Sequence, residues 1–388
     1  MLRSLFSGIG GLRVHQQMMD ITGNNIANVN TAGFKSSNAV FQDTLSQMVR
    51  SAGSPQDTAG GTNPAQIGLG VKLAGINTNF SQGSAQTTGR STDLMIQGDG
   101  MFAVKNGNET MYTRAGSFSF DTQGNMVTVG GQKVMGWQAT DGQVDANGAI
   151  EPIKLPLGQT IAPKETDTVT LTGNLSAEAA TTDPAIELPI SVFTETGATE
   201  SLTLSFTKTG DDAWSVELPN GGGTATINFT DGVPTTPTIT LGDYTVDVSK
   251  MTEYSGKTNP KLNQVDGNAS GTLASYNISQ TGEIVGVFTN GMKSTLGQVA
   301  LANFNNVGGL EKVGDSMYRT TVNSGMAQVG TPSDSGLGTL SSGMLEMSNV
   351  DLASEFTNLV IAQRGFQANS RIITTSDQIL EELVNIKR

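Results

Sequence analysis

The sequence predicts a mixed fold: a terminal α-helical coiled coil built from both ends of the chain, with two nested all-β domains of antiparallel sandwich or barrel type between them. Three observations predict it. Apolar residues recur at every seventh position at both ends, through Leu5, Leu12, Met19 and Ile26 and through Leu352, Leu359, Phe366, Ile373 and Leu380. That period keeps one helix stripe facing a partner, as in a coiled-coil seam. The interior consists instead of short alternating runs cut by Gly, Asn and Asp turns. Turn-rich stretches near 139–150 and 255–271 set off a middle block. The expected layout is a coiled coil over 1–30 and 350–388, a connecting arm and loop over 31–70, an inner β domain over 71–139 and 272–349, and an inserted outer β domain over 140–271.

The first helix spans 2 to about 28. Its glycines, Gly8, Gly10, Gly11 and Gly23, each cost about 1 kcal/mol relative to Ala in a helix interior. Alone in water such a helix should not hold. It has no apolar partner beside it in sequence, and neither does the last helix. The partner is the other terminus, other copies of the chain, or both. The Asn-rich run from Asn24 to Lys35 ends the helix, with Gly33 free to take a positive φ.

Residues 36–50 read as a short helix or an extended arm, and Ser51 to Gly70, with Pro55, Gly60, Gly61 and Pro64, as a long loop. From Val71 to about Trp137 come strands such as Leu94-Met95-Ile96 and Phe102-Ala103-Val104, parted by turns such as Asn106-Gly107-Asn108. The middle block alternates in the same way through Leu202–Phe206, Trp214–Leu218 and Ala225–Phe229. Short strands return in 272–345, and the last helix starts near Ser348, with Asp351 as a capping-box variant. Run to Ile386 it is about 58 Å long, a coiled-coil length rather than a globular one.

Composition excludes several functions. The chain has 388 residues and a net charge of −13, the wrong sign for nucleic acid or an anionic membrane surface. It contains no Cys, hence no disulfide framework or thiolate chemistry. No run of 18 apolar residues exists to span a membrane. Leu5 to Leu12 imitates a signal segment, but Gly8, Gly10 and Gly11 break it and no small-residue cleavage site follows. Any export therefore uses a route without a cleaved signal peptide.

His15 is the single histidine, so no imidazole cluster, Ser-His-Asp triad or His/Cys zinc site can be built. It is expected to be solvated or interfacial. Asp141 to Gly148 imitates a calcium loop but puts Ala146 where the sixth position needs Gly, and reads as a turn. Gly68-Leu69-Gly70 and Gly98-Asp99-Gly100 lack the third glycine and helix of a nucleotide fingerprint. Glu381 and Glu382 read as solvated carboxylates. No catalytic group, metal or cofactor is expected. An extracellular β-rich hydrolase would need converging acid, base or metal groups that the chain does not offer. An intramolecular helical hairpin without assembly is the plain alternative for the ladders.

The run Gly23 to Lys35 resembles the N-terminal signature of bacterial flagellar rod and hook axial proteins, above all in Asn24, Asn25, Asn28, Thr31, Gly33 and Phe34. Ser348 to Leu352 and Gln363 to Asn369 resemble the matching C-terminal signature. Leu273–Ile278, Leu296–Phe304 and Asp212–Val216 are similar to the hook members, while Ser51–Gln66 resembles distal rod members. The resemblance implies a homopolymer, a curved hook acting as a universal joint around the export channel, with a distal rod subunit as second reading. It also implies the distal rod, hook cap and hook–filament junction proteins and the flagellar type III export apparatus as partners, and an extracellular place in the hook or basal body.

Overall fold

The computed structural model describes residues 2–386 apart from 56–59, 141, 157, 159, 219–221 and 335. Asp141, the first residue of the calcium-loop imitation, lies outside the described residues. The chain divides into two compact units, Met1–Leu155 with Asn277–Val285 and Thr295–Arg388, and Pro156–Tyr276 with Gly286–Ser294.

In the first unit, helix α1 covers Leu2–Ala27 and helix α2 covers Leu352–Ile386. Asp351 itself caps α2: its Oδ1 accepts the N–H of Ala353 at 2.9 Å. The expected start near Ser348 is thus three residues early, because an Asp side chain satisfies the first free N–H groups directly. After α1 the chain is extended rather than helical. Ser37–Asp43 pairs antiparallel with Val71–Thr78, and Ser46–Arg50 with Ala65–Gly68, so part of the expected loop is strand.

The β body interleaves the two halves of the chain. Met101–Asn106 pairs with Glu109–Thr113 through a tight turn in which Gly107 has φ +62°, a conformation glycine takes without strain. Glu109–Thr113 is bonded in turn to Met317–Arg319, and Met101–Asn106 also borders Lys133–Thr140 and Leu301–Asn303. Phe102 and Phe118 meet edge to face at 5.0 Å in its core, both essentially without exposure. A second cluster joins Tyr112 to Phe304 at 4.8 Å and Phe80 to Tyr318 at 5.3 Å.

The boundary expected at 139–140 falls elsewhere. Lys133–Thr140 turns back into Gln143–Val144, and Glu151–Pro152 returns to pair with Gly136 and Met135. The Trp137 indole donates to the Gly148 carbonyl at 2.9 Å, and Ile153 and Leu155 are buried. A tethered hairpin thus ends in core residues, and the first unit continues to Leu155.

The second unit has two sheets. Ile186–Phe193, Thr199–Gly210, Ala213–Glu217, Thr224–Thr230 and Val233–Pro234 form one antiparallel sheet in sequence order. The other runs Thr238–Leu241, Tyr244–Tyr254, Thr168–Ser176, Lys261–Val265. Within it Thr168–Ser176 lies parallel to Tyr244–Tyr254, a departure from the all-antiparallel expectation. The long intervening chain supplies the crossover that parallel neighbours require. Leu171, Val192, Phe206, Trp214, Ile227 and Val248 fill the core. Among them lies a buried ion pair, Lys208 to Glu253 at 3.4 Å, whose carboxylate also accepts the Trp214 indole at 2.9 Å. The edge strand Ile186–Phe193 carries Pro189 in its middle.

Candidate functional site

The two helices lie antiparallel, and small residues bring them together. A Cβ on Gly11 would stand 2.6 Å from the Asn369 side chain, and one on Gly365 would stand 2.4 Å from the His15 ring. Gly8 faces Ile373, where a Cβ would stand at an ordinary contact distance of 3.4 Å. The buried line on α1 is Gly8, Gly11, Val14, Thr22 and Asn25; on α2 it is Glu355, Ala362 and Ser376. His15 is therefore interfacial, half-buried against Gly365.

This is not the seam the apolar ladders described. Leu5, Leu12, Met19, Ile26, Leu359, Phe366, Ile373 and Leu380 are half-buried, and Leu352 is 40% exposed. Larger side chains cannot occupy the line where two backbones approach closely, so they flank it. Phe6, Phe356, Val360 and Val384 are more than half exposed. Single exposed apolar residues are ordinary on a protein surface, and here several lie on the two helices of one pair.

At the base of the pair both termini are tied down by polar groups. The Asn25 amide donates to the Ser37 carbonyl at 2.8 Å and to Glu355 Oε1 at 3.0 Å, and its Oδ1 accepts the Ser37 N–H at 3.1 Å. Asn28 donates to the Asn24 carbonyl at 2.9 Å, and the Thr31 hydroxyl donates to Asn28 Oδ1 at 3.1 Å, closing the end of α1. Gly33 has φ +69°, and a Cβ there would stand 2.4 Å from the Ala115 nitrogen. The Phe34 ring lies under the Lys312 ammonium at 4.9 Å. Asn349 accepts the Ser36 N–H at 2.8 Å and donates to the Asn79 carbonyl at 2.8 Å.

Deeper still, Lys35 and Glu346 have fully buried side chains 2.7 Å apart, and Arg114 reaches the same carboxylate at 3.3 Å. Lys35 also donates to the Ser81 carbonyl, Arg114 to the Gly98 carbonyl, and the Gly83 N–H to Glu346 Oε1. Burial pushes both the Lys35 ammonium and the Arg114 guanidinium below their ordinary values, with Glu346 opposing the shift. Burial likewise lowers Lys312 and raises the Tyr318 phenol.

The sequence signature thus gathers into one joint. Asn25, Gly33 and Phe34 hold the chain leaving α1, and Asn24, Asn28 and Thr31 close its last turn. Ser37, Arg114, Glu346 and Glu355 escaped sequence reasoning. Their partners lie up to 330 positions away, and a lone charge between Leu345 and Met347 was the only local hint of Glu346. Among the described residues no group of three His, Asp or Glu side chains could hold a metal, and no helix is long and apolar enough to cross a membrane.

Residues 5–35 match the family described as flagella basal body rod protein. Residues 95–177 match the flagellar hook protein FlgE/F/G D1 domain, and 341–386 the flagellar basal body rod FlgEFG protein C-terminal region. The chain is 37% identical over 444 residues to the flagellar hook protein FlgE of Borreliella burgdorferi, with both chains covered completely. It is 34% identical over 389 residues to the flagellar basal-body rod protein FlgG of Bacillus subtilis, again with complete coverage of both. The crystal structure of the Helicobacter pylori flagellar hook protein FlgE2 shares the fold, with TM-score 0.55 and 13% identity over 68% of this chain and all of that one.

Proposed function

Because this chain belongs to the flagellar hook and rod protein family, we propose that it is the structural subunit of a flagellar hook, a homopolymer that encloses the export channel and acts as a curved universal joint. The observation that carries this reading is the helix pair. Its buried line consists mostly of glycine, small and polar residues, with Val14 among them, while its apolar ladders are half-buried and its outer residues Phe356, Val360 and Val384 face solvent. One copy leaves apolar surface that a neighbouring copy's helices can cover, and burial of such surface drives association.

On this reading the assembly seam runs through Leu5, Leu12, Met19, Ile26, Leu352, Leu359, Phe366, Ile373 and Leu380. The distal rod, cap and junction proteins adjoin the polymer, and subunits arrive through the type III apparatus without a cleaved signal peptide. The second unit acts as a separate domain with its own core. The complete match to a rod protein favours a second reading, a distal rod subunit. Electron microscopy of the polymerised chain separates them: short curved tubes support the hook, straight rods the rod, and the absence of any polymer contradicts both.

A further inference from the structure

Glu346 is a carboxylate on which both ends of the chain converge with the β body. It lies on strand Met344–Glu346, just before α2, and its partner Lys35 lies shortly after α1 ends at Ala27. Arg114 comes from the β body, beside the Ala115 backbone that packs on Gly33. The Gly33 N–H also donates to the Glu346 carbonyl at 2.7 Å. Side chain and backbone of one residue therefore hold the outgoing and the returning chain together.

A buried ion cluster is poor evidence of stability, because desolvation offsets most of its attraction and apolar residues of equal volume do as well. What charge and hydrogen-bond geometry add is direction: a buried carboxylate accepts only along its lone pairs, so its partners are fixed in place. Two cations sharing a carboxylate, with further hydrogen bonds from Lys35 to Ser81, Arg114 to Gly98 and Gly83 to Glu346 and only Arg114 Nε left without a partner, fix where both chain segments leave the body. We infer that Lys35, Arg114 and Glu346 are positioning residues for assembly: they set the angle and axial register at which the helix pair leaves its body, and through it the lattice of the polymer. The inference rests on the hook reading and names residues outside its assembly seam.

The test is polymerisation of the full chain carrying Glu346→Gln or Arg114→Met, with Lys164→Gln as a control that removes an exposed pair with Asp266. Glu346→Gln keeps an acceptor for Lys35 but turns an amide donor toward Arg114. Thermal melting reports folding, and electron microscopy reports axial rise, twist and curvature. The expected result is a retained cooperative transition with a shifted rise or twist and a broader spread of curvature in both variants, and control tubes like the parent's. Folded variants whose tubes superimpose on the parent's overturn the inference alone. Loss of cooperative folding in both variants assigns the cluster to stability and overturns it as well. A parent chain that forms no polymer overturns the hook reading and this inference with it.

Discussion

The Asn25 amide donates to the Glu355 carboxylate at 3.0 Å, across 330 positions of sequence, within the last turn of one terminal helix and the first turn of the other. Both residues are buried, Asn25 completely. This contact pins the two helices where they meet the body.

Asn25→Ala should therefore loosen the helix pair from its base. It strips Glu355 and both backbone groups of Ser37 of their partner, at roughly 1–3 kcal/mol for each buried group left unpaired. Hydrogen exchange should show faster exchange across α1 and in the first turns of α2, with the β body unchanged. Unaltered protection of α1 contradicts the account.

Gly33→Ala should destabilise the first unit more than a turn substitution normally does. The φ of +69° disfavours any side chain, and the added carbon meets the Ala115 backbone at 2.4 Å. A left-handed non-glycine residue alone costs about 1–2 kcal/mol, and here the neighbouring chain must move too. A melting temperature within one degree or so of the parent's, where about 1 kcal/mol should give several degrees, rules this out.

Leu359→Asp or Ile373→Asp should stop the polymer while the β body keeps its thermal transition. Both residues retain some exposure in one copy, and Ile373 already lies against Gly8, so the helix pair of the monomer loses some stability as well. If the polymer completes their burial, each copy loses a fraction of the ~1.5–3 kcal/mol that full burial of such a side chain is worth and gains a charge to desolvate. Sedimentation of the double variant should show monomers only; normal tubes sink the proposed seam.

The second unit should fold by itself. Its core, from Val169 to Met251 with Trp214 at 1% exposure, closes on residues of that unit alone. A fragment spanning 156–276, which holds the whole of that core, should melt cooperatively at about the temperature the unit shows in the whole chain. A fragment without a cooperative transition would show that the division at Leu155 is not a folding boundary.

That fragment should also weaken in acid through Asp266. Burial alone would raise this carboxyl, but the N–H groups of Thr168 and Asp167 and the Lys164 ammonium outweigh it and hold it below the ordinary carboxylate range. A depressed folded pKa gives stability that is fully present above about pH 4 and lost as pH falls through the folded value. Asp266→Asn should flatten the acid limb of the melting temperature. An unchanged limb would assign acid sensitivity elsewhere.

How far the fold was legible depended on the range of each interaction. A period of seven marked both helices and their need of a partner, because that signal is local. The side that meets was hidden by counting only apolar residues. Gly8, His15 and Thr22 also step by seven, as do Glu355, Ala362, Asn369 and Ser376, and these smaller or polar side chains lie at or beside the line of approach. The Asn-rich signature predicted a helix end, which Asn24, Asn28 and Thr31 form. Its tie to Glu355, and that of Lys35 to Glu346 and Arg114, joins distant positions that no window contains. The turn cluster near 145 looked like a boundary because turns are local, whereas the tether from Trp137 to Gly148 and the burial of Ile153 and Leu155 are not.

Pro189, on the edge strand Ile186–Phe193 of the second unit, has a further consequence. An edge strand is a template on which another chain can add by backbone hydrogen bonds, and proline offers no N–H at that point. In a polymer many such domains would be held at high local density, where strand-to-strand growth of the amyloid type is most favoured. A rigid ring in the middle of this edge interrupts that growth and leaves joining to the helices. Chains that must aggregate in one ordered way carry, in the same sequence, a safeguard against aggregating in another.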